Sequence, residues 1–167
     1  MDLGLKDKIA FVAGSSRGIG RSIVDALARE GAKVVVTGRE THDLDRAVTE
    51  LRLQYGDDRV EGCVCDLRNR DVIAGTLADV YARRGRLDIV VANVGSGRGR
   101  TGYELSDDEW EAFIETNLMS GIRIVREAVP YLRKSGGGSV VLTASIAGVE
   151  TLGAPVAYEA AKAALIA

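Results

Sequence analysis

The sequence predicts a doubly wound α/β fold: a parallel sheet with helices on both faces and five strands visible. Three observations predict it. Short runs of Val, Ile and Ala recur without polar alternation, segments of helical periodicity separate them, and the first run enters the next helix through a turn holding three glycines. Strands of that kind imply burial on both faces of the sheet.

The first run is Ile9-Ala10-Phe11-Val12. It leads into Ala13-Gly14-Ser15-Ser16-Arg17-Gly18-Ile19-Gly20 and then an amphipathic segment from Arg21 to Glu30. Lys33-Val34-Val35-Val36-Thr37 is a β-branched second strand. A helix is expected near residues 43–55, a strand near 60–65 and a helix near 70–83, followed by strands at Asp88-Ile89-Val90-Val91-Ala92 and Ser139-Val140-Val141-Leu142-Thr143. The longest helix should start at Ser106, where Ser106-Asp107-Asp108-Glu109 has capping-box spacing, and run to about Lys134. Trp110, Phe113, Ile114, Leu118 and Gly121 form its apolar stripe, and Asn117 falls inside that stripe. A buried amide there needs partners, either neighbouring backbone or a water or main-chain kink at a site.

At 167 residues the chain suits one domain, residues 1–167, with a sizeable core. A net charge of −2 with 28% charged residues gives no reason to expect nucleic acid or an acidic membrane as partner. No apolar run is long enough to span a bilayer and the first residues mix charges, so a cytoplasmic location and a small-molecule partner are the expectations. Cys63 and Cys65, two apart in a strand, point to one face and read as buried thiols rather than a disulfide. The single histidine, His42, at a polar helix start, leaves no route to a His/Cys metal site or a Ser-His-Asp triad, so the metal expectation is none.

A glycine turn between strand and helix can hold a phosphate. Unpaired N–H groups and the positive dipole end lie at the helix start, and a missing Cβ lets a pyrophosphate approach the backbone. A dinucleotide is the natural guest. In doubly wound sheets ligands sit beyond the carboxyl ends of the strands at the switch in strand order, where the Gly14 turn, Asp66, Asn93 and Ser145 should all emerge. The loop from Gly95 to Glu104, with Arg98, Arg100 and Arg17, can line an anionic pocket or simply be solvated.

Ser145 follows the last strand, and Tyr158 and Lys162 share one helical face at i and i+4. A tyrosine of ordinary pKa, about 10, is a poor proton carrier at neutral pH. An ammonium beside it favours the phenolate. Tyr158 can then act as general acid/base, with Ser145 binding the oxygen of a carbonyl or alcohol while a nicotinamide exchanges hydride with the adjacent carbon.

Together these motifs resemble those of the classical short-chain dehydrogenases/reductases, from about Lys6 to the last residue. The family's Gly-x-x-x-Gly-x-Gly appears as Gly14-Ser15-Ser16-Arg17-Gly18-Ile19-Gly20, its adenine-contacting Asp as Asp66-Leu67, and its active-site quartet as Asn117, Ser145, Tyr158 and Lys162. The resemblance implies a Rossmann-like fold, NAD(P)H-dependent oxidoreduction of a small carbonyl or secondary alcohol, and a homodimer or homotetramer. The family's Asn-Asn-Ala-Gly reads Ala92-Asn93-Val94-Gly95 here; Asn93 and Gly95 are assigned to the cofactor side. At the tip of the second strand, Thr37-Gly38-Arg39 places Arg39, with Arg17, where a 2′-phosphate would sit, favouring NADP(H) over NAD(H), with Glu40 close enough to keep NAD(H) open. Family members usually continue beyond the helix that carries Tyr158 and Lys162, so the chain is expected to be cut inside it. That leaves two other readings to separate from an oxidoreductase: a catalytically silent nucleotide-binding or subunit-interaction domain, and an isomerase or dehydratase using the same tyrosine.

Overall fold

In the computed structural model, which describes residues 2–167, strands β1 (Ile9–Val12), β2 (Lys33–Gly38), β3 (Val60–Val64), β4 (Ile89–Ala92) and β5 (Ser139–Leu142) form one sheet. Every pairing is parallel and the order is β3-β2-β1-β4-β5. The chain therefore winds outward from β1 in one direction through β2 and β3, then crosses back to β4 and β5. The switch in strand order lies between β1 and β4, and the glycine turn leaves β1 at that point.

Helices α1 (Gly18–Arg29), α2 (Thr41–Tyr55), α3 (Arg70–Arg84), α4 (Asp107–Ile114), α5 (Ser120–Lys134) and α6 (Val156–Ile166) follow, with a π-helical segment, Glu115–Met119, joining α4 to α5. Period-2 geometry splits β1 between two cores. Ile9 and Phe11 join Ile73, Leu77, Leu87 and Ile124 from the α3 and α5 side, whereas Ala10 and Val12 join Val24, Val36, Leu44 and Leu51 from the α1 and α2 side. Both clusters are closed to solvent, so β1, β2 and β4 are buried on both faces as their composition predicts.

The outer strands differ from that expectation. On β3, Gly62 and Val64 are exposed and Glu61 is tied down by ion pairs to Arg83 and Arg84, while on β5 Val141 and Leu142 are open to solvent. Apolar composition marks them as strands. It does not reveal that they are edges. Both cysteines are free; Cys65 is buried as expected, but Cys63 is only half-buried, and burial and the neighbouring Glu61 push its thiol up to about 11, which makes it a poor nucleophile.

The capping box at Ser106 forms as the spacing predicts: Ser106 Oγ accepts from the Glu109 N–H at 3.3 Å, and Glu109 Oε2 accepts the Ser106 N–H at 2.8 Å. The helical path from there to Lys134 is unbroken but not uniform, because the π-helical segment lies in its middle. Helix α6 starts at Val156, two residues ahead of Tyr158, and no helix among the described residues is long and apolar enough to cross a membrane.

Candidate active site

The glycine turn is held from below by β2. Gly14 N–H donates to Thr37 Oγ1 at 2.9 Å, the Ser15 and Ser16 N–H groups donate to the Thr37 carbonyl at 2.9 and 3.2 Å, and Thr37 N–H donates back to Ser15 Oγ at 2.9 Å. Ser15 Oγ also donates to the Val12 carbonyl at 2.6 Å, so this fully buried hydroxyl fastens the turn instead of facing a ligand. Gly14 and Gly18 have φ of 62° and 60°, a region that side chains rarely adopt. Gly20 lies against the Gly14 carbonyl and Asn93, where a Cβ would come within 2.6 Å of Asn93 Nδ2. The turn therefore packs as glycine alone allows, and it directs the start of α1 at open space, the arrangement a pyrophosphate requires.

Two adjoining cavities open over this turn. The larger, about 530 Å³, is lined by Gly14, Ser16 and Arg17, by Arg39, by Asp66 and Leu67, and by Asn93 and Gly95. Arg68, Arg98, Asp43 and Thr116 complete much of its rim. The smaller, about 290 Å³, shares Gly14, Arg17, Asn93 and Gly95 with it and reaches Gly18, Ile19, Thr143, Tyr158 and Lys162. One continuous trough thus joins the Arg39–Asp66 end to the Tyr158–Lys162 end across the glycine turn. Its glycine cradle suits a dinucleotide, and at its far end Arg17, Arg39, Arg68 and Arg98 share the rim with Glu40, Asp43 and Asp66.

At the Tyr158 end, Lys162 is buried and its Nζ donates to the Thr143 carbonyl at 2.8 Å. Burial pushes this ammonium below the usual lysine range. The Nζ stands 5.9 Å from the centroid of the Tyr158 ring, as the shared helical face implies. Asn117 is also buried, in the π-helical segment: its Nδ2 donates to the Phe113 carbonyl at 3.0 Å and its Oδ1 accepts the Ser96 N–H at 2.7 Å. Asn117 and Lys162 meet at Gly95, where an added Cβ would lie 3.0 Å from Asn117 Oδ1 and 3.1 Å from Lys162 Nζ. Asn117 thus bonds neighbouring backbone on both sides of its amide, from within the π-helical segment.

Ser145 and Asn117 line neither cavity, and Ser145 Oγ accepts the Ala147 N–H at 3.2 Å, capping the short 3-10 turn Ile146–Gly148. Its hydroxyl proton stays free to donate. Arg100 likewise turns away from the trough, donating to the Glu104 carbonyl at 2.7 Å and pairing with Glu109 at 3.1 Å, whereas Arg98 and Arg17 do line it.

Several contributors are not legible in the sequence. Thr37, a strand residue by its pattern, fastens the turn. Asp43 pairs with Arg17 at 3.4 Å and with Arg46 at 3.3 Å; the i, i+3 spacing to Arg46 was legible, but the approach to Arg17 depends on how α2 packs beside the turn. Arg68 holds Asp66 through both carboxylate oxygens, a contact between near neighbours that spacing alone does not specify.

The model of the short chain dehydrogenase family matches residues 8–167. An uncharacterized oxidoreductase of Bacillus subtilis, YvrD, is 35% identical over 166 residues, which is 99% of this chain and 62% of that protein. L-sorbose reductase from Gluconobacter frateurii, solved with NADPH and L-sorbose, superposes with a TM-score of 0.93 at 34% identity over 99% of this chain and 63% of its own. Carveol dehydrogenase from Mycobacterium avium, solved with NAD, superposes with a TM-score of 0.89 at 31% identity over 96% of this chain and 62% of its own. The chain thus spans about three-fifths of the length of the relatives it matches. With the family model matched over nearly its whole length, the chain belongs to the short chain dehydrogenase family.

Proposed function

We propose that this chain carries the nucleotide-binding and proton-transferring part of an oxidoreductase that moves hydride between NADP(H) and a small carbonyl compound or secondary alcohol. The observation that carries the reading is the single trough from Arg39 and Asp66, over the glycine turn, to Tyr158 and Lys162. The nicotinamide, when bound, supplies or accepts the hydride. Gly14, Ser16, Gly18 and Ile19 would hold the pyrophosphate, Leu67 and Asp66 the adenine, and Asn93 and Gly95 the path between the two ends.

In reduction the Tyr158 hydroxyl gives its proton to the substrate oxygen, and in oxidation the phenolate takes that proton back. Lys162, fixed by the Thr143 carbonyl, places a positive charge beside the phenolate and would also orient the ribose. Ser145, next along the chain from the Thr143 and Ala144 that line the smaller cavity, would give its hydroxyl proton to the same substrate oxygen, and Asn117, held at the π-helical segment, would support the route by which Tyr158 regains its proton. Arg39 and Arg17 favour a 2′-phosphorylated cofactor. NADPH in L-sorbose reductase and NAD in carveol dehydrogenase are both found in structural neighbours, so charge at the rim is what argues for NADP(H) here. The same neighbours make small polyols, ketoses and alicyclic alcohols the substrate classes to try first. Assembly as a homodimer or homotetramer belongs to the same proposal.

Titration of the chain with NADPH and NADH, followed by a panel of ketones and aldehydes, tests this. NADPH bound more tightly than NADH and oxidised with a ketone supports it. Binding without turnover in the full-length protein would instead indicate a silent nucleotide-binding module, and product formed without change in nicotinamide absorbance would indicate an isomerase or dehydratase.

A further inference from the structure

Glu115 and Arg123 form a pair that a regular α-helix would not line up. Arg123 Nη2 donates to Glu115 Oε1 at 3.0 Å, and its Nη1 donates both to Glu115 Oε2 and, at 2.8 Å, to the Arg68 carbonyl in the turn after β3. At 3.6 residues per turn a residue seven positions on stands within about 20° of the first, and one eight positions on lies about 80° round. Ile122 would then stand over Glu115. Arg123 takes that place because the π-helical segment carries one extra residue, the Ser120 N–H donating to the Glu115 carbonyl five residues back.

Asn117 sits inside the same widened turn. It holds the Phe113 carbonyl and the Ser96 N–H, and Ser96 lies between Gly95 and Gly97 in a segment that lines both cavities. Gly97 in turn packs on Tyr158, the place of its missing Cβ lying 3.5 Å from the ring carbon Cζ. Closing the turn to a regular helix would rotate one half of it against the other by about 100°, the step of a single residue, and swing the Asn117 amide away from Ser96.

We propose that Arg123 is a positioning residue: paired with Glu115, it holds the helix in the widened register and so fixes Asn117 against Ser96 and the segment that packs on Tyr158. This rests on the reading of Tyr158 as the proton carrier. The Arg123 hydrogen bonds and charge outweigh partial burial and keep the Glu115 acid below the usual carboxylate range, so the pair is ionised at neutral pH. A pair with its acid side chain 45% exposed contributes little to overall stability. It has only to decide between two registers of one helix.

The experiment uses the full-length protein, unaltered and as Arg123→Met, Glu115→Met, both changes together, and Arg123→Lys. Steady-state kinetics are measured with NADPH and a ketone, and hydrogen exchange is followed at the Ser96 amide. Each Met variant should lower kcat about tenfold, the cost of a small misplacement, with KM for the ketone within about twofold. The double variant should fall no further than either single one, since both act through one register. Exchange at Ser96 should quicken about tenfold in all three. Arg123→Lys, which keeps the charge without the fork, should recover kcat to within about threefold.

Unchanged kcat or unchanged Ser96 exchange in Arg123→Met overturns the inference. So does a loss in Arg123→Met that Glu115→Met does not share, which would assign Arg123 to the Arg68 turn alone, or losses that multiply in the double variant. An unaltered protein that turns over no ketone overturns the functional reading instead, and Ser96 exchange then decides the register by itself. Neither side chain belongs to the two cores, so both replacements leave those cores intact.

Discussion

Lys162 Nζ and Thr143 O, nineteen residues apart in sequence, meet at 2.8 Å and tie α6 to the chain just beyond β5. That bond fixes an ammonium close to Tyr158 in a buried position: the group is 3% exposed, and burial lowers its pKa. Where a base has a lower pKa folded than unfolded, the unfolded chain binds more protons, so stability rises with pH from the depressed value up to the free-lysine value of about 10.4. Lys162→Met should remove that slope, read as urea midpoints across the alkaline range. The same change should lower turnover about 10²- to 10⁴-fold, the ordinary worth of a positioned proton-transfer group. A variant with undiminished turnover would dismiss Lys162 from the chemistry.

Gly95→Ala addresses the meeting point of Asn117 and Lys162. The new methyl would sit 3.0 Å from Asn117 Oδ1 and 3.1 Å from Lys162 Nζ, closer than nearly all real contacts of this kind. One of the two polar atoms must yield by a few tenths of an ångström. The expected result is turnover reduced about tenfold or more, since misplacements of this order are costly in catalysis, with little change in the thermal midpoint. Equal loss of stability and activity would show that Gly95 serves packing alone.

Arg39→Asp tests the choice of cofactor. An acid at that position accepts a ribose hydroxyl and repels a 2′-phosphate, so the ratio of kcat/KM for NADPH over NADH should fall by about 10²-fold, the exchange of one charge-assisted contact for a like-charge clash. Arg17 is already partly neutralised by Asp43, which leaves Arg39 as the freer of the two charges. An unchanged ratio would move the 2′-phosphate contact elsewhere, with Arg98 the next rim cation to replace.

The sheet and the trough were legible because they rest on patterns the chain must repeat. Apolar runs such as Ile9-Ala10-Phe11-Val12 have to be buried on both faces, and Gly14 and Gly18 have to be glycine at φ near 60°. Tyr158 and Lys162 meet by helical spacing alone. What stayed hidden depends on register between distant elements. No residue type announces a π-helical segment, so Asn117 could be placed on a stripe but not at a widened turn. The approach of Asp43 to Arg17 and the grip of Arg123 on the Arg68 carbonyl follow from how helices pack. The edge positions of β3 and β5 follow only from the sheet order.

Asp88 gives a prediction about acid. It is buried at the start of β4, where its backbone bonds to Ile9 and Ser139 while its carboxylate accepts the Ile9 N–H at 2.9 Å and Arg86 Nε at 2.8 Å, with Lys8 3.5 Å away. Burial pushes this acid up, but the Arg86 and Ile9 hydrogen bonds and the two cationic charges together outweigh it and leave it below the usual carboxylate range. The stabilisation is therefore present in full above the free-carboxylate value of about 3.9 and is lost as pH falls through the lower folded value. Asp88→Asn turns an amide N–H₂ toward Arg86 and should cost about 1–3 kcal/mol at pH 7, discounted because Arg86 and Lys8 are half in water. Asp66, Glu115 and Glu127 also have depressed values, so the acid limb of either protein alone does not isolate this group. The difference between them does: urea midpoints of Asp88→Asn and the unaltered chain should stand apart at pH 7 and converge as pH drops below 4. A gap that stays constant would mean Asp88 acts through shape and not through charge.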